Sequence, residues 1–388
     1  MKVLLVHTRY QLKGGEDTVV QNELDLLVSS GIETELLEFS NTGNAALKVV
    51  QLPFNLPAYF TTLKAIRRFS PDVIHIHNLH FSGSASVLYA ARRCRIPVVL
   101  TLHNYRLLCP SATLFNRGKF FLDSLTNTFS WKAVREGIYL NSRLLTFWVS
   151  LAAFLHQKLR TWDIPVRYIA LGAYTTELFS LSTLNSVVPK ITVKPNFCYP
   201  APLRNEGVAS GYLYVGRLSE EKGISVLLEA FSLNGLNLTI AGAGPLEAKV
   251  KDYCRKYDNI RFTGILEKRQ VQELLAASTA LVFPSLWYET FGMVIIEAFA
   301  AGTPVIASDL GQMKELVDAG VNGLRFEAGN VQDLNNKIES FENLSPAGKQ
   351  LFRQGARTTY EDKYTPAKNA SLLLQIYRDA IGSMPGNG

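Results

Sequence analysis

Two glutamates stand eight positions apart in the segment FPSLWYETFGMVIIEAFAAGTPVIAS, residues 283–308. Glu289 follows Trp287 and Tyr288, and Glu297 lies inside a run that is otherwise apolar. An ionised carboxylate taken out of water is costly unless it is paired or hydrogen-bonded, so Glu297 needs a partner. FPS closes a predicted strand, and a helix is predicted to begin near Phe291 and Gly292 and to stop at Gly302. The N–H groups of Phe291, Gly292, Met293 and Val294 then make an anion site of backbone and dipole, which suits a diphosphate. Glu297, two turns on, suits paired hydroxyls such as a ribose diol, and Glu289 in the loop suits a second polyol.

Two further stretches carry the same kind of chemistry. In YVGRLSEEKG, residues 214–223, a strand turns at Gly216, and Arg217 and Lys222 emerge at its carboxyl end, where open α/β sheets bind ligands. Two cations there suit a diphosphate, while a surface cluster with Glu220 and Glu221 is the competing reading. In LTIAGAGPLEA, Gly242 and Gly244 follow a strand as in a nucleotide-binding turn, but Glu247 occupies the third glycine position of GxGxxG. A tight strand-to-helix turn explains those two glycines equally well.

The elements that must position these residues are short β-branched runs alternating with helical patterns, as in parallel sheets covered by helices. Strands are predicted at 2–7, 34–39, 73–77, 98–103 and 167–171, then at 212–216, 238–242, 260–264, 280–285 and 304–308. The fold class is therefore α/β, with two Rossmann-like units in tandem. The boundaries follow as 1–195, 196–365 and a terminal helix over 366–388, with residues 194–211 as a proline-containing linker.

Composition bounds the rest. The 388 residues suffice for two domains, and 47% hydrophobic with 19% charged residues is an ordinary globular balance. Four cysteines without CxxC spacing point to neither a disulfide framework nor a zinc site, and to a reducing setting. The N-terminus is too broken for a signal-peptide core, and the apolar stretch 144–155 is too short to span a bilayer. Residues 1–195 carry a net charge of +9 and residues 196–388 one of −2, so the first half is the one expected to face something anionic. The charge is spread without a dense Arg/Lys run, which sets nucleic acid aside. Residues 143–160, apolar and flanked by Lys132, Arg135, Arg143, Lys158 and Arg160, read either as a core helix or as an interfacial helix on anionic lipid.

Taken together, Glu289-x7-Glu297, VGRLSEEKG, AGAGP, the early KGGED loop and the LHN triplet resemble the retaining glycosyltransferases of the GT-B fold, glycosyltransferase family 4. The resemblance implies two Rossmann-like domains facing across a cleft, and a nucleotide-diphosphate sugar donor of the UDP or GDP type with no separate cofactor. It implies that Arg217 and Lys222 clamp the diphosphate, that Glu289 holds donor-sugar hydroxyls and that Glu297 binds the ribose. Gly216 and Gly242 fall in the donor-side turns. Gly14 and Gly15 match the first-domain glycine loop that closes over the diphosphate, and His103 matches the histidine near the reacting sugar. Many members have His-Asp where this chain has His103-Asn104, so an acidic contact is missing there. His75, His77 and His80 are an unusual addition. Alternation puts His75 and His77 on one strand face, as a metal site would need, but no Asp-x-Asp occurs and such enzymes generally work without a metal. They read as polar residues lining the cleft, with no metal site.

The expectation is a retaining, metal-independent hexosyltransferase acting in polysaccharide biosynthesis. Its acceptor is expected to be a lipid-linked saccharide, its location the cytoplasm with peripheral attachment at the inner membrane face. Two alternatives share the fold: a nucleotide-sugar 2-epimerase and a non-catalytic nucleotide-sugar-binding subunit. The terminal helix is expected to be able to pack back on the first domain.

Overall fold

The computed structural model describes residues 1–9, 15–41, 49–201, 203 and 211–384. The chain divides into two compact units, one made of residues 1–116, 121–196 and 369–388, the other of 117–120 and 197–368. Each is built on a six-stranded sheet whose paired strands are all parallel.

The first sheet contains β1 (Lys2–Arg9), β2 (Glu33–Ser40), β3 (Val73–Ile76) and β4 (Val98–Leu102). A small ribbon of β5 (Phe115–Asn116) and β6 (Lys119–Phe120) comes next in the chain. The sheet is then completed by β7 (Arg167–Ala170) and β8 (Ile191–Val193), in the order β2-β1-β3-β4-β7-β8. The second sheet contains β9 (Tyr212–Val215), β10 (Leu238–Ala241), β11 (Ile260–Gly264), β12 (Ala280–Phe283), β13 (Val305–Ser308) and β14 (Gly323–Phe326). Its order is β11-β10-β9-β12-β13-β14.

All ten strands read from the sequence form. The two edge strands β8 and β14 were not anticipated, since one is only three residues long and the other carries a glycine and an arginine. Strand order reverses between β1 and β3 in the first sheet and between β9 and β12 in the second. Ligands of doubly wound sheets bind at such points, beyond the carboxyl ends of the strands.

Burial explains why these runs are strands. Val3, Leu4, Leu5, Val6, Val73, Ile74 and Ile76 are fully buried, as are Leu213, Ile240, Leu281, Val282 and Val305, so both faces of each sheet are covered. The last helix, Pro366–Gly382, contributes Leu373, Ile376, Tyr377 and Ala380 to the core of the first unit, against Val3, Leu5, Val99 and Ile169. The segment proposed as a linker is not loose where it is described: Lys194, Asn196, Phe197 and Cys198 are buried. Residues 202 and 204–210 of it lie outside the described residues.

Candidate active site

Three strand-to-helix turns of the second unit meet backbone to backbone. A Cβ on Gly242 would lie 1.9 Å from the carbonyl oxygen of Gly216, and one on Gly244 would lie 2.4 Å from that of Leu218. At Gly223, with φ at +71°, a Cβ would lie 1.8 Å from the Pro284 carbonyl oxygen. Close approach therefore accounts for these glycines. Gly242 and Gly244 are spent on locking the turn after β10 against the turn after β9, so neither is evidence for a dinucleotide fingerprint.

The locked turns carry Lys222 to Glu289. Lys222 Nζ lies 2.5 Å from Glu289 Oε1, which also accepts hydrogen bonds from Ser285 Oγ and Trp287 Nε1, both at 2.7 Å. The ammonium sits 5.1 Å from the Trp287 ring centre, a cation–π arrangement that fixes its direction further. The competing reading of a cluster with Glu220 and Glu221 fails: Glu221 is held instead by Ser219 Oγ at 2.6 Å. Arg217 is exposed at the end of β9, its carbonyl anchored by the Tyr214 hydroxyl at 2.8 Å. One pinned cation and one exposed cation thus stand at the point where the strand order reverses.

The helix after β12 runs Met293–Ala300 with Gly292 as its N-cap, at φ +118°. Gly292 is packed close: a Cβ would lie 3.3 Å from Ile295 Cδ1. Phe291 is buried and Met293 and Val294 are half-buried, and the first N–H groups of the helix have no partner within it. Glu297, on the second turn, has no hydrogen-bond or ion-pair partner among the described residues. Burial pushes its carboxyl up to about 7, with the charge of Lys268 opposing the shift. Burial and the nearby Glu297 also push the Cys198 thiol up, so this cysteine is not a reactive one.

In the first unit, His103 directly follows β4. Its Nε2 lies 2.9 Å from His77 Nδ1, and His77 Nε2 lies 3.1 Å from Glu23 Oε1. Glu23 is buried on the helix Gly15–Ser29 and is also met by His75 Nδ1 at 2.9 Å and Lys194 Nζ at 3.1 Å. His75 further bonds Thr101 and Tyr377, each at 2.7 Å. Of the three histidines expected to line one cleft, His77 and His80 line one cavity and His75 does not. His75 is sealed in the core, His77 leads to His103, and His80 pairs with the Tyr139 hydroxyl at 3.1 Å.

Gly14 lies outside the described residues. Gly15 opens the first helix with nothing within 4 Å of an added Cβ, so local packing does not demand a glycine there. Beside it, Glu16 is pushed up to about 8 by burial and by Asp17, and Asp17 Oδ1 lies 2.9 Å from His7 Nε2. Asn104, where an acid was missed, accepts the Arg106 backbone N–H at 3.0 Å and shapes its loop.

A cavity of about 130 Å³ opens inside this unit, with His77, His80, His103, Asn104 and Arg106 on one side. Leu52, Leu79, Leu102, Val149, Ala152 and Trp162 form its apolar walls. Val149 and Ala152 come from the helix Arg143–Lys158. One face of that helix is core, while Leu144 is 77% and Leu155 41% exposed on another. Among the described residues no helix is long and apolar enough to cross a membrane.

Two such parallel-sheet units make up the GT-B fold. Residues 209–358 match the family described as Glycosyl transferases group 1, and residues 14–165 match Glycosyltransferase Family 4. The chain belongs to this family of glycosyltransferases. It is 26% identical to an uncharacterized glycosyltransferase of Methanocaldococcus jannaschii over 98% of both chains. It is 28% identical to the phosphatidyl-myo-inositol mannosyltransferase of Mycobacterium leprae over 44% of this chain and 47% of that one. Among solved structures it resembles Anabaena HepE in complex with UDP and glucose, with a TM-score of 0.66 at 18% identity over 96% of this chain and 98% of that one.

Proposed function

We propose that this glycosyltransferase moves a hexose from a nucleotide-diphosphate sugar of the UDP or GDP type to an acceptor hydroxyl, with retention of anomeric configuration and without a metal. The observation that carries this reading is the Lys222–Glu289 pair, held by Ser285 and Trp287 beside the exposed Arg217. As diphosphate leaves an oxocarbenium-like sugar, negative charge grows on the phosphate oxygens. Arg217, Lys222 and the start of the helix Met293–Ala300 would meet it as preorganised charge. Glu289 would hold donor-sugar hydroxyls, and Glu297 would accept from the ribose diol, the partner its half-buried carboxyl lacks. His103 would stand at the reacting sugar, with attack on the same face as departure assisted by the leaving phosphate. A structural neighbour that binds UDP and glucose supports such a donor.

The acceptor in this reading is a lipid-linked saccharide used in surface polysaccharide assembly. Its support is the largely apolar cavity beside His103 and the shared helix Arg143–Lys158, whose other face is exposed and apolar. Incubating the chain with UDP- and GDP-hexoses and a polyprenyl-diphosphate saccharide, in the presence of EDTA, tests the proposal. One donor is expected to give a product of retained configuration. Inverted product, dependence on a divalent ion, or epimerised nucleotide sugar without acceptor would each refute it.

A further inference from the structure

Glu23 is a fully buried carboxylate, and such a group persists only when it is compensated. Burial alone would push its carboxyl up, but Lys194, His75 and His77 outweigh that and hold it well below the usual carboxylate range. It is therefore ionised and can only accept hydrogen bonds. A bare nitrogen facing it at 3.1 Å would be repelled, so His77 Nε2 carries a proton. Glu23 Oε1 is met at contact distance by two ring nitrogens, His75 Nδ1 at 2.9 Å and His77 Nε2 at 3.1 Å, and His77 Nε2 has no in-line hydrogen bond to any other group among the described residues.

Burial, with His75 adding to it, pushes His77 down to about 4 despite Glu23, so the ring is neutral and its Nδ1 is bare. That bare nitrogen lies 2.9 Å from His103 Nε2, and the rings are inclined by only 23°. His103 Nε2 must then be the donor. His103 is itself held well below the ordinary histidine range by burial and then by His77, with His75 and His7 in the same direction and Glu23 opposing.

We propose that Glu23 and His77 are positioning residues that fix His103 in its Nε2–H tautomer, so that it meets the sugar as a neutral acceptor through Nδ1. The proposal rests on the reading of His103 as a residue at the reacting sugar. An electron pair facing a sugar that develops positive charge is favourable, where an imidazolium would repel it. The dyad is anchored from behind: Lys194 Nζ also bonds Asn369 Oδ1 at 3.0 Å, and Asn369 Nδ2 donates to the Pro195 carbonyl at 2.7 Å. Glu23, His75 and His77 place their ligand atoms within 4.8 Å of one another, as a metal would need. The Lys194 ammonium already occupies that carboxylate, so a divalent cation would meet a positive charge at contact distance.

The test is the imidazole 15N spectrum of the full chain with labelled histidine, assigned by replacing each histidine in turn. It needs no substrate, so its failure is separable from failure of the proposed reaction. His103 is expected to show a protonated Nε2 and a bare Nδ1 at pH 7, unchanged between about pH 6 and 8. His77→Leu should release it to a mixture of tautomers. His77→Gln should preserve it, because the amide oxygen can accept from Nε2–H. Where transfer is measurable, His77→Leu should lower kcat below His77→Gln by a factor on the order of 10, with the donor KM unchanged. A wild-type His103 protonated at Nδ1 or at both nitrogens would overturn the proposal, a result that does not depend on any variant folding. So would an unchanged tautomer in folded His77→Leu, or one zinc ion per purified chain.

Discussion

At the residue scale, the question posed by Glu289 and Glu297 has two different answers. Glu289 is satisfied within the protein: Lys222, Ser285 and Trp287 converge on one of its oxygens. Lys222→Ala removes the cation and leaves that carboxylate short of a partner, while Arg217→Ala removes an exposed charge and nothing structural. Both should lower kcat by a factor on the order of 100 if each stabilises the departing diphosphate. Only Lys222→Ala should also lower Tm, and steady-state kinetics beside thermal denaturation separates the two. Glu297 is the opposite case, a carboxyl that burial raises from 4.5 to about 7, with the charge of Lys268 opposing the shift. A raised acid binds its proton more tightly in the folded chain, so its stabilising contribution is full below the ordinary value and lost as pH rises through about 7. Glu297→Gln should therefore leave Tm unchanged at about pH 4 and raise it at about pH 8. Equal Tm differences at both pH values would show that ionisation of Glu297 is not the cause.

At the element scale, much of the architecture was legible because the central parallel strands are buried on both faces and so read as near-continuous apolar runs. The edge strands Ile191–Val193 and Gly323–Phe326 lack that signature. The site was legible in part. Glu289, Lys222 and Arg217 were chosen from spacing, and Ser285 and Trp287 stood in the same short segment, but nothing in a sequence shows that three donors converge on one oxygen. The Glu23 network left less trace still, since its members come from a helix, two strands, the segment after β8 and the terminal helix. The one signal in the sequence was the alternation that puts His75 and His77 on one strand face. The helix Arg143–Lys158 shows why one pattern can support two readings: it presents Thr146, Val149, Ser150, Ala152 and His156 inward and Leu144 and Leu155 outward. Exposed Trp131, Leu140 and Leu159 lie in the same stretch of chain, with Lys132, Arg135, Arg143, Lys158 and Arg160 interspersed. Apolar side chains among cations suit the surface of an anionic bilayer. Leu144→Glu with Leu155→Glu should abolish sedimentation with phosphatidylglycerol vesicles while leaving Tm unchanged; retained sedimentation would remove this face from the account.

At the scale of the whole molecule, the two units divide the chemistry. In the proposed reaction the second would meet the nucleotide-diphosphate sugar with its cations and acids, and the first would meet the acceptor at the apolar cavity beside His77 and His103. The division fits the charge distribution, +9 in residues 1–195 against −2 in residues 196–388, since it is the first half that is read as meeting an anionic surface. The terminal helix belongs with the first unit, since its Tyr377 reaches His75 and its Asn369 reaches Lys194. The central claim is that the second unit is a donor site, and nucleotide binding tests it most directly. Thermal denaturation of the full chain with UDP, GDP and ADP, each with and without EDTA, should show stabilisation by one nucleotide, indifferent to EDTA and lost in Glu297→Ala. No stabilisation by any of the three, or the same stabilisation in Glu297→Ala, would contradict it.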